Sequence, residues 1–138
     1  MAKKLILYAD GASRGNPGLG GAGAVLKDET GKTLEEITYF VGQWVTNNVA
    51  EYTALLVGLE KALELTASEI DIFMDSELVV RQIKGEYQVK NEKLLEIFVQ
   101  VQKLLKKFSS YKIEHIPREK NKEADRLSNQ AINLRDIA

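Results

Sequence analysis

The chain has no cysteine and a single histidine, His115, among its 138 residues. Without thiols it has no disulfides, no thiolate metal site and no cysteine nucleophile. With one imidazole, a multi-histidine zinc centre is excluded as well. Any metal must then be held mainly by carboxylates, which select hard ions such as Mg2+ or Mn2+. Long apolar runs are also missing, since nothing approaches the roughly 20 residues that span a bilayer. The start Met1-Ala2-Lys3-Lys4, followed by a brief apolar run, is too short for a secretory signal. The chain is therefore expected to be cytoplasmic, without a membrane partner. A surplus of charge is lacking too, with a net value of −1, which speaks against a strongly basic nucleic-acid binder. The distribution is uneven, however. Between Asp28 and Asp71 there are nine acidic residues against two lysines, and between Lys103 and Arg126 eight basic residues against four acidic ones. One end of the molecule can carry a basic surface.

What is present fits a single domain over residues 1–138, with 44% hydrophobic and 28% charged residues, enough to bury one core. There are no internal repeats or low-complexity tracts. Apolar patterning predicts strands over Leu5 to Asp10, Gly20 to Lys27 and Thr33 to Val41, with Asp28-Glu29-Thr30-Gly31 as a hairpin turn between the last two. The run Gly21, Ala22, Gly23, Ala24 implies that another element packs closely on the second strand. Asn47 or Asn48 is expected to cap a helix to about Leu65, with Tyr52, Leu55, Leu56, Leu59 and Leu63 on one face. Glu69 to Asp75 reads as a strand, and Ser76 caps a helix that stops at Gly85. A helix over roughly Glu92 to Phe108 buries Leu94, Phe98, Val101, Leu105 and Phe108. Tyr111 to Ile116 is a fifth strand. Asn121 is expected to cap a last helix with Ala124, Leu127, Ala131 and Leu134 inside. The order β-β-β-α-β-α-α-β-α predicts an α/β fold: a five-stranded mixed sheet, three strands antiparallel and two parallel, flanked by helices.

In such sheets, sites form beyond the carboxyl ends of neighbouring parallel strands, and both Asp10 and Asp75 end predicted strands. The segment after Asp10, Gly11-Ala12-Ser13-Arg14-Gly15-Asn16-Pro17-Gly18, reads as a loop whose small residues let a ligand near the backbone; a solvated turn accounts for it equally. Glu51 and Asp125 lie in the first turns of helices, where the macrodipole alone favours an acid. Taken together, the four acids occupy positions that can converge on one sheet edge. Carboxylates so close repel one another, and two divalent cations would relieve this and support in-line displacement at a phosphodiester.

Four motifs, Asp-Gly-Ala-Ser-Arg-Gly-Asn-Pro-Gly at 10–18, Thr-Asn-Asn-Val-Ala-Glu-Tyr at 46–52, Asp-Ser-Glu-Leu-Val at 75–79 and Asn-Lys-Glu-Ala-Asp at 121–125, resemble those of the ribonuclease H type 1 family in order and spacing. Pro117 to Asn121 and Gly85 to Tyr87 look most like its compact, archaeal-type branch. The resemblance spans nearly the whole chain and implies a ribonuclease H-like fold. It also implies hydrolysis of the RNA strand of RNA–DNA hybrids, leaving 5′-phosphate and 3′-hydroxyl ends. Asp10, Glu51, Asp75 and Asp125 would then hold two Mg2+ ions, with Mn2+ able to substitute. Asp10 would bridge the ions, Glu51 and Asp75 would serve one, and Asp125 the other. Gly11, Ser13, Asn16, Asn47, Asn48 and Glu77 would contact the substrate, and Thr46 would sit at a phosphate pocket for the DNA strand. The expected state is a monomer. Two alternatives stay open: a catalytically silent module binding hybrid or double-stranded RNA, and an enzyme that also cuts RNA–RNA duplexes.

The chain departs from the family pattern in three places. Gly85 to Asn91 is too short for the basic helix that many bacterial members insert there. Weaker substrate affinity follows, with Lys103, Lys106, Lys107 and Lys122 as candidates for partial compensation. Glu77 replaces a glutamine and would repel nearby phosphates. In place of a loop histidine, Arg118 is favoured as the catalytic helper. His115 is the weaker candidate, expected inside or at the end of the fifth strand as a satisfied structural residue. Trp44 is expected to pack near the sheet edge.

Overall fold

The computed structural model describes residues 3–136. Its strands are β1 (Lys4–Gly15), β2 (Gly18–Lys27), β3 (Thr33–Val45), β4 (Glu69–Met74) and β5 (Ser110–His115), and its helices are α1 (Asn47–Glu64), α2 (Glu77–Ile83), α3 (Glu92–Leu105) and α4 (Lys122–Asp136). A short 3-10 turn, Arg118–Lys120, leads into α4. The five strands form one mixed sheet in the order β3-β2-β1-β4-β5. β1, β2 and β3 pair antiparallel, while β4 joins β1 and β5 joins β4 in parallel. This is the expected topology.

The core lies between the sheet and α1, α2 and α3. Alternation along β1 and β4 sends Leu5, Leu7, Ala9, Ile70, Ile72 and Met74 to that side, where they meet Leu55, Leu59, Val101 and Leu105, all buried. α4 covers the other face over β2, with further contacts to β1 and β3. It is the close neighbour implied by the small residues of β2: a Cβ at Gly21 would lie 2.1 Å from the Ser128 carbonyl oxygen, and one at Gly23 2.2 Å from that of Ala124. Beside α4 on that face, Tyr8 and Phe73 stack with ring centres 5.3 Å apart.

Several local expectations are corrected. β1 does not end at Asp10. It continues to Gly15, because residues 11–15 pair with 18–22 of β2 across a turn at Asn16-Pro17, whose peptide bond is cis. Cross-strand pairing outweighs the poor strand preference of this Gly- and Ser-containing stretch. β3 likewise runs to Val45, beyond register shifts around Gly20. The cap of α1 is Thr46, whose hydroxyl accepts from Val49 N at 3.2 Å, so Asn47 and Asn48 fall in the first turn. α3 closes at Leu105, and its last turn tightens through bonds from Lys107 N to Leu104 O and Phe108 N to Leu105 O, which keeps Phe108 buried. On α4 the buried stripe runs through Leu127, Ser128, Ala131 and Ile132. Leu134, on its flank in the last turn, is 52% exposed.

Candidate active site

The parallel ladder between β1 and β4 stops at the pair Ala9–Met74. Asp10 is therefore the first β1 residue past that ladder, while its other edge still pairs with Gly23 of β2. Asp75 follows directly on the last residue of β4. Two carboxylates thus meet at the carboxyl ends of adjacent parallel strands, as the sequence leads one to expect, although β1 itself runs on.

The other two acids arrive on helices drawn close by glycine. A Cβ at Gly11 would lie 2.2 Å from the Ala50 carbonyl carbon and 2.3 Å from Glu51 N. Only glycine lets the start of α1 rest on β1 and bring Glu51 over the strand end. The side on which Gly11 lacks a side chain is thus filled by α1, while the Gly11 backbone lines the carboxylate cleft. On the opposite face, the close contact at Gly23 seats Ala124 and presents Asp125, the neighbouring residue in the first turn of α4. Asp10, Glu51, Asp75 and Asp125 line one cleft, together with Asn47, Asn48, Arg118 and Asn129.

Electrostatics shows how tightly the acids are gathered. Burial, followed by the charges of Asp75, Asp125 and Glu51, pushes the Asp10 carboxyl up to about 9. Burial pushes Glu51 up to about 7, with a further contribution from Asp75; a hydrogen bond with the Ser76 side chain works in the opposite direction. Asp10 is 7% exposed and its Oδ1 accepts from Gly11 N at 2.9 Å. Asp75 Oδ1 accepts from Asn121 Nδ2 at 2.9 Å, and Asp125 Oδ1 from Asn129 Nδ2 at 3.2 Å.

Among the described residues, no group of three or more acidic or histidine side chains is already set around an ion-sized position. The acids are gathered, with Asp10 feeling all three others, but they are not closed into a cage. Their chemistry nevertheless fits hard divalent cations. Every donor is a carboxylate oxygen, the cluster opens to a cleft, and positive charge there would relieve the repulsion that raises Asp10.

The remaining sequence-predicted residues divide between this cleft and its surroundings. Ser13 lines the cleft, but its hydroxyl turns to the backbone of Gly15 and, at 2.6 Å, of Val45. Asn16 Oδ1 accepts from Asn47 N at 3.1 Å, joining the β1–β2 turn to the start of α1. Thr46 borders a neighbouring groove with Tyr39, Trp44 and Lys93. Trp44 is 78% exposed there, on the edge strand β3, and so is no packing residue. Glu77 lies outside the cleft and pairs with Arg81 at 2.8 Å. His115 ends β5 beside Glu77 and Arg81. It stands at the end of the strand, as expected, and is exposed; among the described residues the imidazole does not line the carboxylate cleft. Arg118 does line it.

Two residues were missed. Asn129 was legible, because it stands four positions after Asp125 on the same helix face. Asn121 was expected to cap α4; instead its amide donates to Ala9 O and Asp75, and nothing local in the sequence announces this.

The family model described as "Reverse transcriptase-like" matches residues 8–131. A bifunctional protein of Mycobacterium tuberculosis is 45% identical over 130 residues, covering 94% of this chain. The present chain spans only 35% of that relative's length. Among solved structures, RNase H1 from the halophilic archaeon Halobacterium salinarum superposes with a TM-score of 0.91 at 37% identity, covering 94% of this chain and 98% of that one. LC11-RNase H1, solved in complex with an RNA/DNA hybrid, superposes with a TM-score of 0.88 at 43% identity, covering 94% and 97%.

Proposed function

Since this chain belongs to the ribonuclease H family, we propose that it is an endoribonuclease that hydrolyses the RNA strand of RNA–DNA hybrids. The observation that carries this reading is the convergence of Asp10, Glu51, Asp75 and Asp125 on one cleft at the carboxyl ends of β1 and β4. Members of the family generally use divalent metal ions. Here the four carboxylates would hold two Mg2+, with Mn2+ as a substitute, and those ions supply charge neutralisation for in-line displacement at phosphorus.

The chain's own residues do the rest. Asn47 and Asn48, at the mouth of the cleft, offer amides that both donate to and accept from 2′-hydroxyls, the groups that mark RNA. Asn16 keeps the β1–β2 turn against α1 and so shapes the wall of that groove. Arg118, always charged, stands over the cleft as the contact for the scissile phosphate or the departing product. Water adds to phosphorus, the bond to the 3′-oxygen breaks, and 5′-phosphate and 3′-hydroxyl ends result. All of these groups come from one chain, so the proposed site is complete in a monomer.

Incubation of an end-labelled hybrid with Mg2+ tests the reading. The wild type is expected to cut the RNA strand, and Asp10→Asn to reduce the rate by at least a thousandfold. Arg118→Ala should lower kcat by about 10- to 100-fold, a usual scale for a charged group at the reacting phosphate, whereas His115→Ala stays within about twofold. Binding without cleavage would overturn the assignment. Cleavage of an RNA–RNA duplex in parallel would widen the substrate class.

A further inference from the structure

We propose that Asn121 is a positioning residue for the carboxylate centre, its amide holding Asp75 in place for cation uptake; this rests on the reading above that the four acids bind metal. Asn121 is 2% exposed and lies where the 3-10 turn passes into α4, its own N–H bonded to Arg118 O. Its Nδ2 donates to Ala9 O at 3.0 Å and to Asp75 Oδ1 at 2.9 Å. Its carbonyl accepts from Asp125 N at 3.1 Å. One residue therefore touches all three segments that deliver aspartates: Ala9 immediately before Asp10, Asp75 itself, and Asp125 one turn further along α4. The β1–β4 ladder ends at Ala9–Met74, and the amide supplies the next link across that gap.

The orientation of the amide follows from its partners. Both are acceptors, so the NH2 must face them; the flipped amide would set oxygen against oxygen. In this orientation Asn121 Oδ1 is buried without a hydrogen-bond partner among the described residues. An apolar side chain of similar size would avoid that loss, so the value of the amide lies in its two donors. Asp75 is also one of the charges that raise Asp10, so repulsion favours its turning away from the cluster. A fixed donor on one of its oxygens opposes that rotation and leaves the other oxygen for the cleft. Partners that orient ligand groups in this way typically change metal affinity by about 10- to 100-fold.

Calorimetric titration with Mn2+, without nucleic acid, is the test, on wild type, Asn121→Ala and Asn121→Ser, alongside thermal melts in EDTA and hybrid-cleavage kinetics. In Asn121→Ala the Mn2+ dissociation constant should rise about 10-fold or more. Serine, which keeps one donor, should fall in between and carries the test if the alanine variant fails to fold. The kcat should drop at limiting Mg2+ and recover partly at high Mg2+, while KM for the hybrid stays within about twofold. A merely structural role would lower the melting temperature and leave the Mn2+ dissociation constant within twofold of wild type in both variants; that result overturns the proposal. A wild type that binds no Mn2+ overturns both this proposal and the metal reading. A wild type that binds Mn2+ yet leaves the hybrid intact overturns only the proposed activity.

Discussion

At Gly11, a single hydrogen in place of a side chain decides where Glu51 stands. A methyl group there would meet the Ala50 backbone at 2.2 Å, and backbone cannot swing aside as the tip of a flexible side chain can. Gly11→Ala is therefore expected to destabilise the fold by about 1–3 kcal/mol, the usual range for overpacking, read as a lower melting temperature. It should also slow cleavage by displacing Glu51. Ionisation of the site acids gives a second prediction at this scale. In the folded state Asp10 titrates near 9 instead of 3.8, and Glu51 near 7 instead of 4.5. Folded protein thus keeps protons that the unfolded chain releases, and stability falls as pH rises through these intervals. Metal-free protein should melt at a lower temperature at pH 9 than at pH 5, and Asp10→Asn should flatten that dependence. Divalent cation, which displaces the protons, should raise the melting temperature more at pH 8 than at pH 5. Melts across pH with EDTA or Mg2+ check all three outcomes.

Among the elements, α2 depends most on a polar link. It spans seven residues, too few to be stable without tertiary support, and its cap, Ser76, joins it to Asp75. Tyr52 of α1 donates to Gln82 Oε1 of α2 at 2.7 Å within the core, and Gln82 Nε2 reaches Gln88 O at 3.3 Å in the following connection. Tyr52→Phe keeps the ring but leaves a buried acceptor unpaired, which should cost about 1–3 kcal/mol in denaturant unfolding. Hydrogen exchange should show the loss concentrated in α2 and residues 84–91. β1 teaches a related lesson about elements. The apolar run identified its buried half, but the extension to Gly15 depends on β2, a partner that turn chemistry alone did not align.

For the whole molecule, the placement of charge governs how a polyanion is gripped. None of the four lysines considered as replacements for the missing basic helix lines the carboxylate cleft. Lys103 lies on the outer face of α3 with Leu95 and Val99, Lys106 and Lys107 are exposed just past that helix, and Lys122 faces the opposite side near Tyr8 and Lys27. Lys103→Ala and Lys122→Ala should therefore each leave hybrid affinity within about twofold. The affinity of the unmodified chain should be modest and fall with salt at a shallow slope, since few phosphates are neutralised; binding measured across a salt series reads both. Among the described residues no helix is long and apolar enough to cross a membrane.

Read alone, the sequence determined the order and type of the elements, the mixed sheet and the four acids of the cleft. Periodicity, caps and turn residues act over a few positions, and Asp10, Glu51, Asp75 and Asp125 each stand in a recognisable motif. Only the tertiary structure decided what the neighbours of those motifs do. Asn121 looked like a helix cap because capping is a local habit of asparagine, yet its side chain bonds to residues 112 and 46 positions away. Gly11 reads as room for a ligand; its backbone does line the cleft, but the side a side chain would take belongs to α1. Arg118 and His115 are three residues apart in the chain, but the strand end points one toward Glu77 and the turn delivers the other to the cleft. In each case the outcome depends on which distant backbone arrives beside the residue, and no local pattern encodes that.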